Sequence, residues 1–353
     1  MDCTDKPATA RASIWPGLTV SVAIALAAWV IVAIHARLPG GFQNLPISMI
    51  LIAILIGLAV AGSAARRPRW NPGLDLARGR ILKIAVALIG LRLSLVDLGQ
   101  LGGQALSLVL LVVAAGLGIT FLLTRLVDTH WRLAALLAVG TAICGTSAIA
   151  ATAPGLKATS TEICYAVACI ALIGLVATLA YPPLLVHWLD RPETIGMVLG
   201  ASIHDTAQVT AAAAFHEQAW AAEGSLAAAT VTKLMRNLTM LAIIPAVLWW
   251  AGRAEQGESA RIPLPLFILG FIALSAVRTA GDAWFGTGNP YWAAALEIGA
   301  DLSLFGFAMA MAALALSIRL SELRGPGWKP AAAAFLAAAL MLVIAMSWGL
   351  VTR

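Results

Sequence analysis

Eleven apolar runs, each about as long as a bilayer core is thick, constrain this chain more than any other feature of its sequence. They lie near 14–35, 46–63, 81–98, 104–125, 132–154, 162–186, 194–215, 225–250, 262–280, 291–318 and 329–351. A helix needs about 20 apolar residues to cross the hydrocarbon core. Because backbone groups in lipid must be satisfied within the protein, such runs are expected to be helical. The sequence therefore predicts an all-α integral membrane protein with about eleven transmembrane helices.

The composition excludes the classes of protein that need a soluble fold. Charged residues make up only 11% of the 353 residues and hydrophobic residues 61%, and the mean hydropathy is +0.90. Soluble domains carry about 25% charged residues, so this chain needs lipid as its solvent. The net charge of +6 comes mostly from basic residues in short loops, which favours a role in membrane topology over nucleic-acid binding.

The loop charges predict the orientation of the chain. With a cytoplasmic N-terminus, the segments on the inside hold 15 Lys and Arg residues and those on the outside hold four. Such an excess of positive charge is typical of the cytoplasmic side. We therefore predict a cytoplasmic tail over residues 1–13 and a single transmembrane domain over 14–351. The protein would be a multi-pass protein of the bacterial inner (plasma) membrane with a periplasmic C-terminus.

Two pairs of segments resemble each other within the chain. Residues 140–153 read GTAICGTSAIAATA, and residues 200–213 read GASIHDTAQVTAAA. The third run, KIAVALIGLRLSLVDL, resembles the tenth, FAMAMAALALSIRLSEL, and this pair runs in opposite directions, as an inverted repeat requires. The first pair would run in the same direction if both segments were simple spans, so the two pairs do not combine into one repeat. Chance similarity between alanine-rich helices is the alternative.

The fifth run contains residue types that interrupt a membrane helix. Two glycines, Gly140 and Gly145, lie within it, and three hydroxyl residues surround them: Thr141, Thr146 and Ser147. A break here would free backbone amides at the start of a half-helix, and such amides can face an anion. The alternative is a continuous helix that packs closely through its small residues.

The seventh run carries polar residues at its centre, namely His204, Asp205, Thr206 and Gln208. A carboxylate in the middle of an apolar span is costly unless it is paired or in contact with water. His204 and Gln208 are four residues apart, so they would share one face of a helix. The pattern predicts a polar site that lines a cavity, with an interhelical hydrogen-bond clamp as the alternative.

The eighth run carries two cations, Lys233 and Arg236, with Asn237 one turn after the lysine. Cations at membrane depth need a partner or an anionic ligand. Because Asp205 can neutralise only one of them, the remaining positive charge predicts an anion site. The alternative for Arg236 is an arginine bonded to backbone carbonyls.

The runs GTAICGTSAIAATAP, GASIHDTAQVTAA and ATVTKLMRN resemble the YeiH-type membrane proteins, a family labelled as candidate sulfate exporters. The similarity extends from about residue 40 to the end of the chain. It implies an anion transporter linked to sulfate release. It also implies a distant relation to the sodium/proton antiporter and bile-acid symporter group, and with it inverted repeats and broken helices. This relation concerns the fold and sets no substrate.

The predicted function is secondary transport of a small anion, such as sulfate, at a site between the fifth, seventh and eighth runs. In this hypothesis Asp205 pairs with Lys233 in the empty site and carries the coupled proton or ion. The predicted substrate-binding residues are Thr141, Thr146, Ser147, His204, Gln208, Lys233, Arg236 and Asn237.

Two other functions remain as alternatives. In a cation/proton antiporter, the pair of Asp205 and Lys233 would exchange a proton for a metal cation, and the surplus positive charge disfavours this. An intramembrane enzyme would use Cys144 or His204, but the sequence has no complete metal-ligand set and no nucleophile elbow. We therefore predict no enzymatic activity, no catalytic residue, no metal site and no cofactor. The predicted partners are the anion and the bilayer, with no nucleic acid, and a second copy of the chain in a homo-oligomer is the further partner considered.

Overall fold

Helices are the only regular structure in the part of the chain that the computed structural model describes, residues 13–35, 48–64, 67–251, 266–286, 288–317 and 326–352. The predicted N-terminal tail therefore lies outside the described residues, apart from residue 13. The helices in the first half are α1 Trp15–His35, α2 Met49–Ala64, α3 Asn71–Leu76, α4 Leu82–Leu88, α5 Leu95–Leu126, α6 Trp131–Ala142 and α7 Thr146–Thr152. Those in the second half are α8 Ser160–Leu185, α9 Pro192–Ser202, α10 Thr206–Trp220, α11 Ser225–Leu238, α12 Met240–Trp250, α13 Leu266–Phe285, α14 Pro290–Ser317 and α15 Trp328–Val351.

Six helical stretches within the described residues are long and apolar enough to cross a membrane. They are Trp15–His35, Leu95–Leu126, Ser160–Leu185, Ser225–Trp250, Pro290–Ser317 and Trp328–Val351. This confirms an all-helical fold with several membrane spans, but it does not confirm eleven. Two of the predicted runs, 132–154 and 194–215, are each divided into two short helices, α6 with α7 and α9 with α10.

The backbone explains why both runs break. Gly145 has a φ of 66°, a conformation that glycine adopts without the steric cost that a side chain brings, and α7 begins at the next residue. In the second run, Ile203 and Asp205 are extended, and the Asp205 carboxylate caps α10 by accepting a hydrogen bond from the Ala207 amide at 2.9 Å. The prediction of a broken fifth run is confirmed, the continuous-helix alternative is wrong, and the seventh run is broken as well.

The first broken run returns to the side from which it starts. His130, which precedes α6, lies 3.0 Å from the carboxylate of Glu162 in the first turn of α8. Further along both helices, near the end of α6, a Cβ at Gly140 would lie 3.1 Å from Ile170 of α8. Because the two helices are in contact at their starts and again further along, α6 and α8 run parallel from a common side. Residues 131–159 therefore form a re-entrant hairpin, called here the first hairpin, with its tip at residues 143–145.

The second broken run does the same from the opposite side. The 26 residues of α8 extend about 39 Å, enough to cross the bilayer before α9 begins. Gly196 and Gly200 of α9 pack on the backbone of Ser225 and Ala229, so α9 and α11 run parallel. His216, near the end of α10, bonds to Ser225 at the start of α11. Residues 192–224 are the second hairpin, with its tip at residues 203–205.

The two hairpins correct the predicted topology. Because each enters and leaves on one side, the runs at 132–154 and 194–215 do not cross, and the eleven-span prediction is wrong at these two places. Nine runs remain as predicted crossings. Since nine is also odd, the expected placement of the two chain ends on opposite sides is unaffected, and the cytoplasmic N-terminus stays a prediction.

The hairpins also reconcile the two internal repeats. Ile143 and Ile203, and likewise Gly145 and Asp205, occupy equivalent positions at the two tips. Because the hairpins enter from opposite sides, their matching segments run antiparallel. As simple spans, the same two segments would run in the same direction. The other repeat is antiparallel too: in α14 a Cβ at Gly299 would lie 2.7 Å from Leu91, and one at Gly306 would lie 2.9 Å from the earlier residue Ala85. Both pairs therefore fit one inverted arrangement.

The re-entrant topology predicts which loops share a side of the membrane. Asp128, Lys157 and Glu223 are exposed, and each can be replaced by cysteine in a chain without its four native cysteines. We expect Asp128→Cys and Lys157→Cys to react with an impermeant maleimide from the same side, and Glu223→Cys from the other. Labelling of Lys157→Cys from the side that labels Glu223→Cys would contradict the hairpins and support two simple membrane-crossing spans.

Candidate functional site

The two hairpin tips meet inside the protein. A Cβ at Gly145 would lie 3.5 Å from Asp205, and the Thr146 hydroxyl donates to Asp205 Oδ2 at 3.3 Å. Helix α11 passes beside both tips because the glycines of α9 allow a close approach: a Cβ at Gly196 would lie only 2.2 Å from the Ser225 carbonyl. This contact brings the polar residues of α11 to the tips.

Lys233 of α11 binds the carbonyl ends of both entering helices. Its ammonium donates to the Ile143 carbonyl at 2.9 Å, to the Ile203 carbonyl at 3.0 Å and to the His204 carbonyl. Carbonyls at the end of a helix have no intrahelical donor, and a cation there also complements the helix dipole. Lys233 is fully buried, so these three bonds satisfy all of its donors.

Arg236 binds the same two ends one turn further along α11. Its Nε donates to the Ala142 carbonyl at 2.7 Å, and its Nη2 donates to the Thr141 carbonyl. Its Nη1 donates to the carbonyls of Ala201 at 2.5 Å and Ile203 at 2.9 Å. The guanidinium is fully buried, and these bonds use four of its five N–H groups.

These bonds correct the predicted role of the two cations. We expected Lys233 and Arg236 to be direct ligands of an anion, yet in this conformation their donors are bonded to backbone carbonyls. The alternative given for Arg236, an arginine bonded to carbonyls, describes the observed geometry. The physical reason is that two helices end at the tips. Their buried terminal carbonyls have no donor within the helix, so the two cations donate to them.

The predicted ion pair between Asp205 and Lys233 is also wrong for this conformation. One Asp205 oxygen caps α10 and the other accepts from Thr146. Within the described residues, the ion pairs are formed by other side chains: Arg78 with Asp75, Arg92 with Glu217, His130 with Glu162 and Arg278 with Asp282. The carboxylate is half-buried and lies on the amide side of the tip, whereas the ammonium lies on the carbonyl side.

The remaining predicted residues divide into two groups. Three of them are buried near the tips and keep polar atoms without a partner among the described residues, namely Thr141 Oγ1, Asn237 Oδ1 and both ring nitrogens of His204; Gln208 Oε1 is unpartnered as well. The others face elsewhere. Gln208 donates to the Ala171 carbonyl of α8 at 2.8 Å and packs on Gly174, while Ser147 is exposed on α7. The structure therefore brings together all the predicted site residues except Gln208 and Ser147.

Sequence reasoning missed the backbone part of the site, and it named Thr206 as a central polar residue without including it in the predicted substrate-binding set. The carbonyls at both tips bind the two cations, and the Thr206 hydroxyl accepts a hydrogen bond from the Asn237 amide at 3.3 Å. A signal for the side chain was present, because Thr206 matches Thr146 in the repeated segments. The sequence holds no signal for the carbonyls, since every residue has a backbone carbonyl.

Comparisons with known proteins identify relatives over nearly the whole chain. The sequence profile of the family described as "Conserved hypothetical protein 698" matches residues 16–334. A UPF0324 membrane protein of Bacillus cereus is 31% identical over 334 residues, which are 93% of this chain and 92% of that protein. The UPF0324 inner membrane protein YeiH of Salmonella typhi is 30% identical over 334 residues, 91% and 90% of the two chains. No solved structure matches the chain significantly.

Proposed function

Because the chain belongs to the conserved hypothetical protein 698 family and is similar to UPF0324 membrane proteins, we propose that it is a secondary transporter, which carries a small anion across the bilayer at its hairpin tips. Sulfate is one candidate, on the label of the family that the sequence resembles. The proposal concerns the class of substrate first and sulfate second.

The observation that carries the proposal is the charge at the hairpin tips. Two cations, Lys233 and Arg236, are fully buried there, and among the residues that the structure describes Asp205 is the carboxylate at the tips. The formal sum is one positive charge, and the partial charges of the helix ends cancel because two amide ends and two carbonyl ends meet. A buried excess of positive charge is costly, so an anion that enters the site lowers that cost.

The contacts to the anion would come from side chains whose donors are free. The hydroxyl of Thr141 and the ring of His204 have no partner in the tip region, and the rings and hydroxyls of these residues can donate. Lys233 and Arg236 would then attract the anion through their field, without giving up their carbonyl bonds. This division of roles replaces the direct coordination that the sequence suggested.

The hairpins suggest how access alternates. They enter from opposite sides and meet at the centre, so a shift of either one opens the tips to its own side. Inverted repeats with a site at their junction are typical of secondary transporters. Asp205, half-buried at the second tip, is the residue we propose for coupling, because neutralising its charge strengthens the attraction for an anion.

Anion binding can be tested on the purified protein. We expect at least one of sulfate, sulfite, thiosulfate, phosphate, bicarbonate and small carboxylates to raise the melting temperature, since a ligand of the folded state stabilises it. Thr141→Val removes a free donor and should weaken binding about tenfold. Uptake of the same anion into proteoliposomes should follow the binding order.

The matched control is Thr232→Val. The Thr232 hydroxyl is also buried, but it donates to a carbonyl of its own helix, Ala228, at 2.8 Å. This variant should bind the anion as the unmodified protein does. Equal weakening of anion binding in both variants would show that Thr141 does not contact the anion. If no anion raises the melting temperature, the proposed function is wrong.

A further inference from the structure

We infer that Glu217 and Gln218, near the end of α10, form a latch that keeps the hairpin tips closed on the side from which the second hairpin enters. The bonds of the latch are described below and do not depend on what the protein carries. Its role as a gate for the anion rests on the proposed function.

Two consecutive side chains join the end of α10 to other helices. The Glu217 carboxylate accepts from the Arg92 guanidinium at 2.6 Å through Oε2, and from the Leu226 amide at 3.0 Å through Oε1. The Gln218 side-chain oxygen accepts from the Met49 backbone amide at 3.1 Å. Leu226 lies in the first turn of α11, whereas Met49 begins α2 and Arg92 ends the 3₁₀ turn that follows α4. The latch therefore joins the second hairpin to α2 and to the end of α4.

The helices on the far side of the latch pack as a separate unit. A Cβ at Gly57 of α2 would lie 2.8 Å from Ala315 of α14, and a Cβ at Gly90, after α4, would lie 2.2 Å from the Phe271 carbonyl of α13. Such approaches leave no room for a side chain, so these helices pack closely through their small residues. We call α2, α4, α13 and α14 the α14 bundle. The second hairpin packs instead on α11 through the glycines of α9, so the latch joins two units that each have their own close contacts.

The ion pair in the latch is shielded from water on the carboxylate side. Only 11% of the Glu217 side chain is exposed, against 32% of the Arg92 side chain. Exposed ion pairs contribute little because water and salt screen them. A short, charge-assisted bond to a shielded carboxylate is stronger. Opening would leave this carboxylate with its Leu226 bond alone, so we expect the pair to favour the closed arrangement roughly tenfold.

The position of the latch makes it a gate. Glu217 lies about three turns, or 16 Å, along α10 from Thr206, the first residue of the helix. The latch is therefore near the mouth of the second hairpin and away from its tip. Helix α10 lies against α2 and α14 of the α14 bundle. Separation of these helices at the latch would open a path along α10 to the tips from that side.

The test measures access to a cysteine at the tip and needs no substrate. In a chain without the four native cysteines, Thr206→Cys places a thiol where the native side chain is half-buried. An impermeant methanethiosulfonate reagent is added from the side that labels Glu223→Cys. We expect slow labelling with the latch intact and about tenfold faster labelling when Glu217→Gln is added. Glutamine has the same shape and can still accept from the Leu226 amide, so the change removes only the charge that holds Arg92.

A second variant and a matched control identify the ion pair as the cause. Arg92→Gln should accelerate labelling about as much as Glu217→Gln, and the double variant should add nothing further, because both changes break the same bond. The control is Asp282→Asn, which neutralises another partly shielded ion pair, formed with Arg278 at 2.6 Å. That pair lies within α13 and does not reach the second hairpin, so labelling of the tip should stay slow.

The outcomes separate the latch from the proposed function. Fast labelling of the tip with the latch intact, no acceleration in the latch variants, or equal acceleration by Asp282→Asn would overturn the latch. If Glu217→Gln does not fold, Arg92→Gln leaves the Leu226 bond in place and decides the question alone. Accelerated labelling in a protein that binds no anion would leave the latch standing and remove the transporter proposal. Anion binding and uptake with unchanged labelling would do the reverse.

Discussion

Replacing Arg236 with methionine is expected to prevent recovery of folded protein, and not merely to abolish transport. The guanidinium is the donor for the carbonyls of Thr141, Ala142 and Ala201. The Ile203 carbonyl would keep a donor in the variant, because it also accepts a hydrogen bond from Lys233. A buried acceptor left without a partner costs about 1–3 kcal/mol. Three of them cost at least about 3 kcal/mol, a large share of a typical stability of about 5–15 kcal/mol.

The measurement is the yield of monodisperse protein and its melting temperature in one detergent. Arg80→Met is the matched control, because Arg80 is exposed and its loss should leave both quantities unchanged. Arg236→Lys should give an intermediate result, since lysine has three donors for four bonds and lacks the planar fork. A folded Arg236→Gln protein that loses only anion binding would contradict this structural role and restore the arginine as a direct ligand.

Lys233→Met is expected to destabilise the protein strongly, and Asp205→Asn is not expected to rescue it. The lysine supplies donors to the Ile143 and His204 carbonyls, which the arginine does not reach. Asparagine caps a helix about as well as aspartate, so Asp205→Asn alone should lose only the attraction between its charge and the two cations, and should cost less than Lys233→Met. The double variant should then lose about the sum of the two single losses.

The comparison of the four proteins tests whether the two residues depend on each other. If they formed a buried pair, breaking it from one side would cost about 3–5 kcal/mol and the double variant would recover much of that loss. From the observed geometry we expect a coupling below about 1 kcal/mol, because each side chain has its own partners. Recovery of the melting temperature in the double variant would show that the pair forms after all.

The charge pattern of the loops could not have revealed the hairpins. Moving from eleven spans to nine transfers Lys157 to the inside and Arg191 to the outside. The totals of 15 and four are then unchanged, so the positive-inside rule fits both topologies equally. Hydropathy fails for a similar reason: two apolar half-helices joined by a short break have the same length and composition as one span.

The site was predictable where side chains carry the signal. The glycine of the first break, the buried cations of α11 and the polar residues of the second tip all follow from residue type and position. The partners of those cations did not follow, because a carbonyl belongs to every residue and becomes special only where a helix ends. The expected pairing of Asp205 with Lys233 failed for that reason.

The long separation between the tip carbonyls and their donors has a consequence for synthesis. The Ala142 carbonyl and Arg236 are 94 residues apart in the chain. At about 5–20 residues per second, a ribosome needs roughly 5–20 s to bridge that interval. During this time the first hairpin has no protein donor for its exposed backbone, and lipid cannot supply one. The nascent chain must therefore keep this segment beside water or the insertion machinery until α11 emerges, which makes the arrival of α11 the step that commits the hairpin to the bilayer.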